Sequence, residues 1–218
     1  MRIEFVPAAD ARQFIGTALA ERLPDLREVR AGVWLRPISD EIDAILCLGA
    51  LKGATYVLPY GVTCSWIPMR IGNQDPYRWP GSPAKKRMHL WVDQFTRSQG
   101  NRSMPTISRS HGDVMMGNDA RKAIAKTARR AEKMWRRVST PEAVLREALW
   151  QAGAVGTMHS PGPKFIAAFT YARMGDLDMA QATFEQSIGG LCIEPEVVDR
   201  LTDALQQVVA KQQAIQNL

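Results

Sequence analysis

The sequence predicts an α+β protein: an N-terminal helix packed on a three-stranded antiparallel meander, followed by a C-terminal array of about five helices. Three observations lead there. Apolar residues recur at 3-4 spacing over residues 8–23, alternate with polar ones through much of residues 29–66, and return to helical spacing from Asp113 onward. The 218 residues can bury a core without disulfide or metal staples, and 45% apolar with 23% charged residues is ordinary for a globular chain.

The first helix carries Ala11, Phe14, Ile15, Ala18, Leu19 and Leu23 on one face, and Pro24 stops it. Val29, Ala31, Val33 and Leu35 then alternate with Arg30, Gly32, Trp34 and Arg36, as one strand would. Ile42, Ala44, Leu46 and Leu48 mark a second strand. In "ATYVLPYGVTCSWIP" the residues Tyr56, Leu58, Tyr60, Val62, Cys64 and Trp66 share one face of a third. "RPISDE" and "LKGA" are the hairpin turns. The meander is expected to bury one face under the first helix. Pro59 and Gly61 interrupt the ladder, so the third strand is either an edge or bends there.

Residues 67–112 are rich in Pro, Gly and basic side chains, with one short element, His89–Phe95. The chain thus divides into 1–69 (helix plus meander), 70–112 (a basic Pro/Gly-rich connection) and 113–218 (a helical region). In the last part Ala120, Ile124, Thr127, Ala131, Met134 and Val138 form a stripe with Trp135 beside it. Thr140 caps the next helix with Pro141 at its first position, and Ser139 and Glu142 stand at capping-box spacing. A final helix begins near Pro195 and presents Val198, Leu201, Leu205 and Val208.

Between them lies a helix pair separated by Gly175-Asp176. Tyr171, Gly175, Ala180 and Phe184 fall at the offsets Y-x-x-x-G-D-x-x-x-A-x-x-x-F, and residues 165–189 resemble the core of one tetratricopeptide unit. Ala168 stands where that family favours glycine, the closing proline comes late at Pro195, and there is no second copy. The resemblance implies a helical surface for binding another protein.

Motifs for catalysis are scarce. His89, His111 and His159 are isolated, without the ligand spacing of a zinc site, so neither metal nor cofactor is expected. "GALKGAT" lacks the order of a phosphate loop, and no nucleophile elbow occurs. "SRSHGD" places His111 beside Ser110 and Asp113 in a loop, where an imidazole can do acid–base work or the neighbours simply cap the next helix. Cys47, Cys64 and Cys192 are widely separated, which predicts free thiols and a reduced, cytoplasmic setting. No apolar run reaches membrane-spanning length, and Glu4 and Asp10 rule against a secretory leader.

Charge is the informative feature. The net +6 divides into −1 over residues 1–69, +11 over 70–137 and −4 over 138–218. "DARKAIAKTARRAEKMWRRVS" alone holds Arg121, Lys122, Lys126, Arg129, Arg130, Lys133, Arg136 and Arg137 against Asp119 and Glu132, and Lys85, Lys86 and Arg87 precede it. These eleven side chains are the candidate polyanion contacts, with Tyr77, Trp79, His89 and Trp91 interleaved for base stacking. Alternatively the arc is solvated, or Arg129, Arg130, Arg136 and Arg137 pair with Glu142, Glu147, Asp176, Asp178 and Glu185. Three functions are therefore carried forward: a non-enzymatic interaction protein that binds a protein partner through its helices, a nucleic-acid or polyanion binder, and an enzyme using His111. A homodimer is compatible with the Ala- and Met-rich helices.

Overall fold

The computed structural model describes residues 6–51, 55–70, 77–79, 82–83, 86–92, 104–108, 117–153, 162–188 and 195–216. Helix α1 (Ala8–Ala20) turns Ala11, Ile15, Ala18 and Leu19 inward. Antiparallel strands follow: β1 (Arg27–Arg30), β2 (Val33–Pro37), β3 (Ile42–Cys47), β4 (Gly49–Leu51), β5 (Thr55–Val57) and β6 (Tyr60–Cys64). Short strands β7 (Met69–Arg70), β8 (Tyr77–Arg78), β9 (Leu90–Val92) and β10 (Ile107–Ser108) lie in the connection. The main sheet has the order β1-β2-β3-β6-β9, so the expected meander is present and widened to five strands; β10-β5-β4 and β7-β8 form two smaller sheets.

Two strands differ from the alternation read in the sequence. Residues 27–37 are a hairpin rather than one strand, because Gly32 takes φ 71°, a left-handed conformation that favours glycine. Its N–H donates to Glu28 Oε1 at 2.7 Å. The long third stretch breaks at Leu58-Pro59, sending β5 and β6 into different sheets. Proline has no N–H for a ladder, and the Pro59 carbonyl instead accepts from the Cys47 N–H at 2.8 Å. The chain bends at Pro59, as one of the two expected outcomes had it, yet β6 is no edge: it lies between β3 and β9. Gly61 sits there because β9 passes so close that a Cβ would run into the Leu90 carbonyl and lie 2.7 Å from Trp91 Cα.

One sheet face carries Trp34, Ile42, Ala44, Leu46, Tyr60, Val62 and Leu90. It joins Ala11, Ile15 and Leu19 of α1 in a continuous core that reaches Val209 near the end of the chain. The opposite face is not bare: Val33, Leu35, Ile45 and Met88 form a second, smaller cluster. Behind the sheet come α2 (Asn118–Arg137), α3 (Pro141–Gly153), α4 (Pro163–Met174), α5 (Leu177–Ile188) and α6 (Pro195–Gln216). The buried residues of α2 are Ala120, Ile124, Thr127, Ala128, Ala131, Met134 and Trp135, the stripe expected from spacing. Thr140 caps α3, its hydroxyl accepting from the Ala143 N–H at 3.3 Å. Helix α4 contacts α3, α5 and α6, and most of its side chains are buried. Gly175 ends it at φ 86°, and Phe165, Phe169 and Phe184 pack where it meets α5. Among the described residues no helix is long and apolar enough to cross a membrane.

A histidine is buried in this arrangement. His89 is 1% exposed, and its Nδ1 accepts from the Cys64 N–H at 2.9 Å, so the ring proton sits on Nε2. Burial pushes its pKa down to about 3 from the usual 6.5.

Two outcomes follow from this core. Gly61→Ala is expected to lower unfolding free energy by about 3 kcal/mol or more, read by urea denaturation, because β9 must move to admit the methyl group. Neutral His89 binds no proton in the fold above pH ~3, whereas the unfolded chain takes one up below pH ~6.5. Its contribution is therefore full above pH ~6.5 and is lost as pH falls towards ~3, at up to about 1.4 kcal/mol per pH unit. His89→Gln, which can still accept the Cys64 N–H, is expected to flatten that part of the stability-versus-pH curve.

Candidate functional site

Helix α2 supplies the first candidate surface. Its apolar stripe faces the sheet, α1 and β10, which leaves the basic residues on the outer arc. Trp135 sets the roll of the helix. It is 1% exposed, donates its indole N–H to the Gly61 carbonyl at 2.7 Å, and lies under the Arg36 guanidinium at 5.0 Å.

Both ends of the helix are tied down by their cations. Near the start, Arg121 reaches Glu21 at 3.0 Å and stacks 5.1 Å from the Phe14 ring. At the other end Arg137 meets Glu147 at 2.8 Å. Glu147 is only 2% exposed, and Gln151 donates to its second oxygen at 3.1 Å. Of the acidic residues expected to answer the arc, Glu147 is the one that meets an α2 cation among the described residues.

Between those anchors a row of cations has few ionic partners among the described residues. Lys122, Lys126, Arg129, Lys133 and Arg136 advance by four, three, four and three residues, so they fall on one line along the helix. At 1.5 Å per residue the line is about 21 Å long. All five are exposed. Lys122 touches Asp119 at 3.3 Å and Arg136 touches Glu132 at 4.0 Å, open contacts of the kind worth ~0–1 kcal/mol. Lys126, Arg129 and Lys133 make no ion pair with any described residue. Arg130 is half-buried beside the ridge. Toward the C-terminal end, Arg129, Lys133 and Arg136 border an open depression together with Glu132 and Arg137.

The remaining predicted contacts stand elsewhere. Lys85 lies outside the described residues, as do His111 and most of "SRSHGD". Lys86 is half-buried and paired with Asp43 on the sheet. Arg87 is half-buried too, its pKa lowered first by burial and then by the neighbouring Arg30. Three of the four interleaved aromatics do not serve the ridge: His89 is inside the core, Trp91 packs on the second sheet cluster, and Trp79 borders a separate cleft; the Tyr77 side chain lies outside those described. Among the described residues no group of three or more His, Cys, Asp or Glu side chains is placed to hold a metal ion.

That cleft, of about 390 Å³, is a feature that sequence reasoning missed. Its floor is the β3 and β6 ends, with Asp43, Thr63 and Cys64, and α6 forms one wall with Val208, Lys211 and Ile215. Arg173 of α4 grips Glu41 through Nε at 3.0 Å and Nη2 at 2.7 Å, and also hydrogen-bonds Gln212 of α6. Glu41 and Arg173 are 132 residues apart, so no spacing rule could pair them. Asp43, a carboxylate in the middle of the apolar run Ile42–Leu46, was the available signal.

Arg137→Met is expected to cost about 3–5 kcal/mol in a urea titration, because it strands a buried carboxylate. Adding Glu147→Gln should recover much of that loss, which distinguishes a buried charge from lost packing. Compared with known proteins, the chain matches no family model, no curated protein and no solved structure, so a functional reading rests on these residues and their geometry.

Proposed function

We propose that the protein is a nucleic-acid-binding protein of the cytoplasm that contacts a phosphate backbone through the α2 ridge. The observation that carries this reading is the line of five exposed cations, the central three without an ionic partner among the described residues. Like charges about 5–6 Å apart on one face repel one another; a polyanion, with phosphates at comparable intervals, relieves that repulsion and gains entropy from released counterions. Among the described residues no aromatic side chain stands in the line of cations, which favours backbone contact over base stacking, and hence weak dependence on sequence.

The cytoplasmic part of the proposal draws on the thiols. Cys47 and Cys64 are free; burial pushes Cys47 up to about 11 and Cys64 well above its ordinary value. Neither has the activated thiolate of a redox centre. The alternative of a helical surface for a protein partner has thinner support. The large apolar side chains exposed on helices, Leu149, Met174, Met179 and Ile215, are spread over α3, α4, α5 and α6.

Fluorescence anisotropy with a labelled 20-mer duplex, titrated at several salt concentrations, tests the proposal. Five phosphate contacts give a slope of log K against log salt of about −4.5, or roughly a 500-fold loss of affinity between 50 and 200 mM. Lys126→Gln/Arg129→Gln/Lys133→Gln should bring the slope to about −1.8 with the fold intact, since all three side chains are exposed. A salt-independent affinity, or a triple variant that binds like the parent, overturns the reading.

A further inference from the structure

The cleft beside α6 is separate from the ridge, and no α2 residue borders it among the described residues. Its charges are largely spent. Lys86 neutralises Asp43, and Arg173 neutralises Glu41 while holding Gln212, which latches α6 to the β2–β3 hairpin. Lys211 of α6 is the exception. It is exposed at the mouth and makes no ion pair with any described residue, so the described lining carries one surplus positive charge.

Apart from the neutral polar side chains of Thr63, Ser65, Gln207 and Gln212, the rest of the described lining is apolar. Trp66 is 4% exposed and its indole N–H is committed to Thr170 Oγ1 at 3.3 Å, so it offers the cleft carbon rather than a donor. Trp79 and Ile215 border the same opening and are 37% and 51% exposed. Two of the five large apolar side chains exposed among the described residues thus flank one cavity, where a ligand would remove both from water. A volume of about 390 Å³ falls in the range of small-molecule sites, about 300–1,000 Å³, and apolar walls with a few fixed polar groups are their usual composition.

From this combination we infer that the cleft binds a small aromatic carboxylate, its ring between Trp66, Trp79 and Ile215 and its anionic group at Lys211. The two internal ion pairs are walls of the site rather than ligand contacts. They also supply its discrimination: with Lys86 and Arg173 already committed to Asp43 and Glu41, a second negative group on the ligand finds no free cation in the described lining.

Isothermal titration calorimetry of the full chain with 2-naphthoate and its neutral amide, 2-naphthamide, tests this. The carboxylate is expected to bind at one site with a Kd of about 1 mM or tighter. Lys211→Gln should weaken naphthoate by about three- to tenfold and leave naphthamide unchanged, as loss of one solvent-screened charge contact requires. Trp79→Ala should weaken both compounds. Both substitutions fall on exposed side chains, and an unchanged thermal melt shows that the fold persists. The triple ridge variant must bind naphthoate like the parent, which separates this site from the polyanion surface. Absence of naphthoate binding, an affinity indifferent to both Lys211→Gln and Trp79→Ala, or a loss of binding in the ridge variant overturns the inference.

Discussion

The hydrogen bond from the Trp135 indole to the Gly61 carbonyl ties the charged helix to the sheet, and the exposed chemistry of α2 depends on it. Two conditions make it possible. Gly61 must lack a side chain so that β9 can close on β6, and Trp135 must lie on the apolar stripe of α2. A buried indole N–H left without an acceptor costs roughly 1–3 kcal/mol, so the bond selects one roll of the helix among those that bury a similar apolar area. That roll turns Lys122, Lys126, Arg129, Lys133 and Arg136 to solvent. Arg36 over the ring adds a cation from β2 on the same side of Trp135.

The ion pairs divide into two kinds with different consequences. Arg137–Glu147 joins the consecutive helices α2 and α3 through a buried carboxylate, and Arg173–Glu41, 132 residues apart, joins α4 to the β2–β3 turn through two half-buried groups. Such pairs are poor sources of net stability but costly to break, so they act mainly by holding one arrangement of α2 on α3 and of α4 on the sheet. Lys122–Asp119 and Arg136–Glu132 are local, open and readily exchanged for another anion.

Much of the architecture was legible before any coordinates. Helical spacing located α1, α2 and the helices after it, and the residues read as the inward stripe of α2 are buried. The turns were less so. A period of two continues through Ala31 and Gly32, and only glycine's tolerance of positive φ turns that run into a hairpin. Pro59 signalled an interruption, while the assignment of β5 and β6 to separate sheets depends on strands β4, β10 and β9, two of which come from a segment with almost no periodicity. For the candidate surfaces, the α2 ridge is written in local spacing. The aromatics that lie near it in sequence are carried elsewhere, His89 into the core and Trp79 to the cleft.

The amino-acid order alone specified the helix-and-meander class, the concentration of positive charge in the middle third, and which arc of α2 faces outward, because each is a matter of neighbours within a few residues. Folding in three dimensions decided which cations lack an ionic partner among the described residues. It also decided that Lys86 would answer Asp43, and that Glu41, Arg173 and Lys211 would enclose one cleft. Those contacts join side chains 43 to 132 residues apart, and their distances exist only after the sheet and the helical array have packed against a common core.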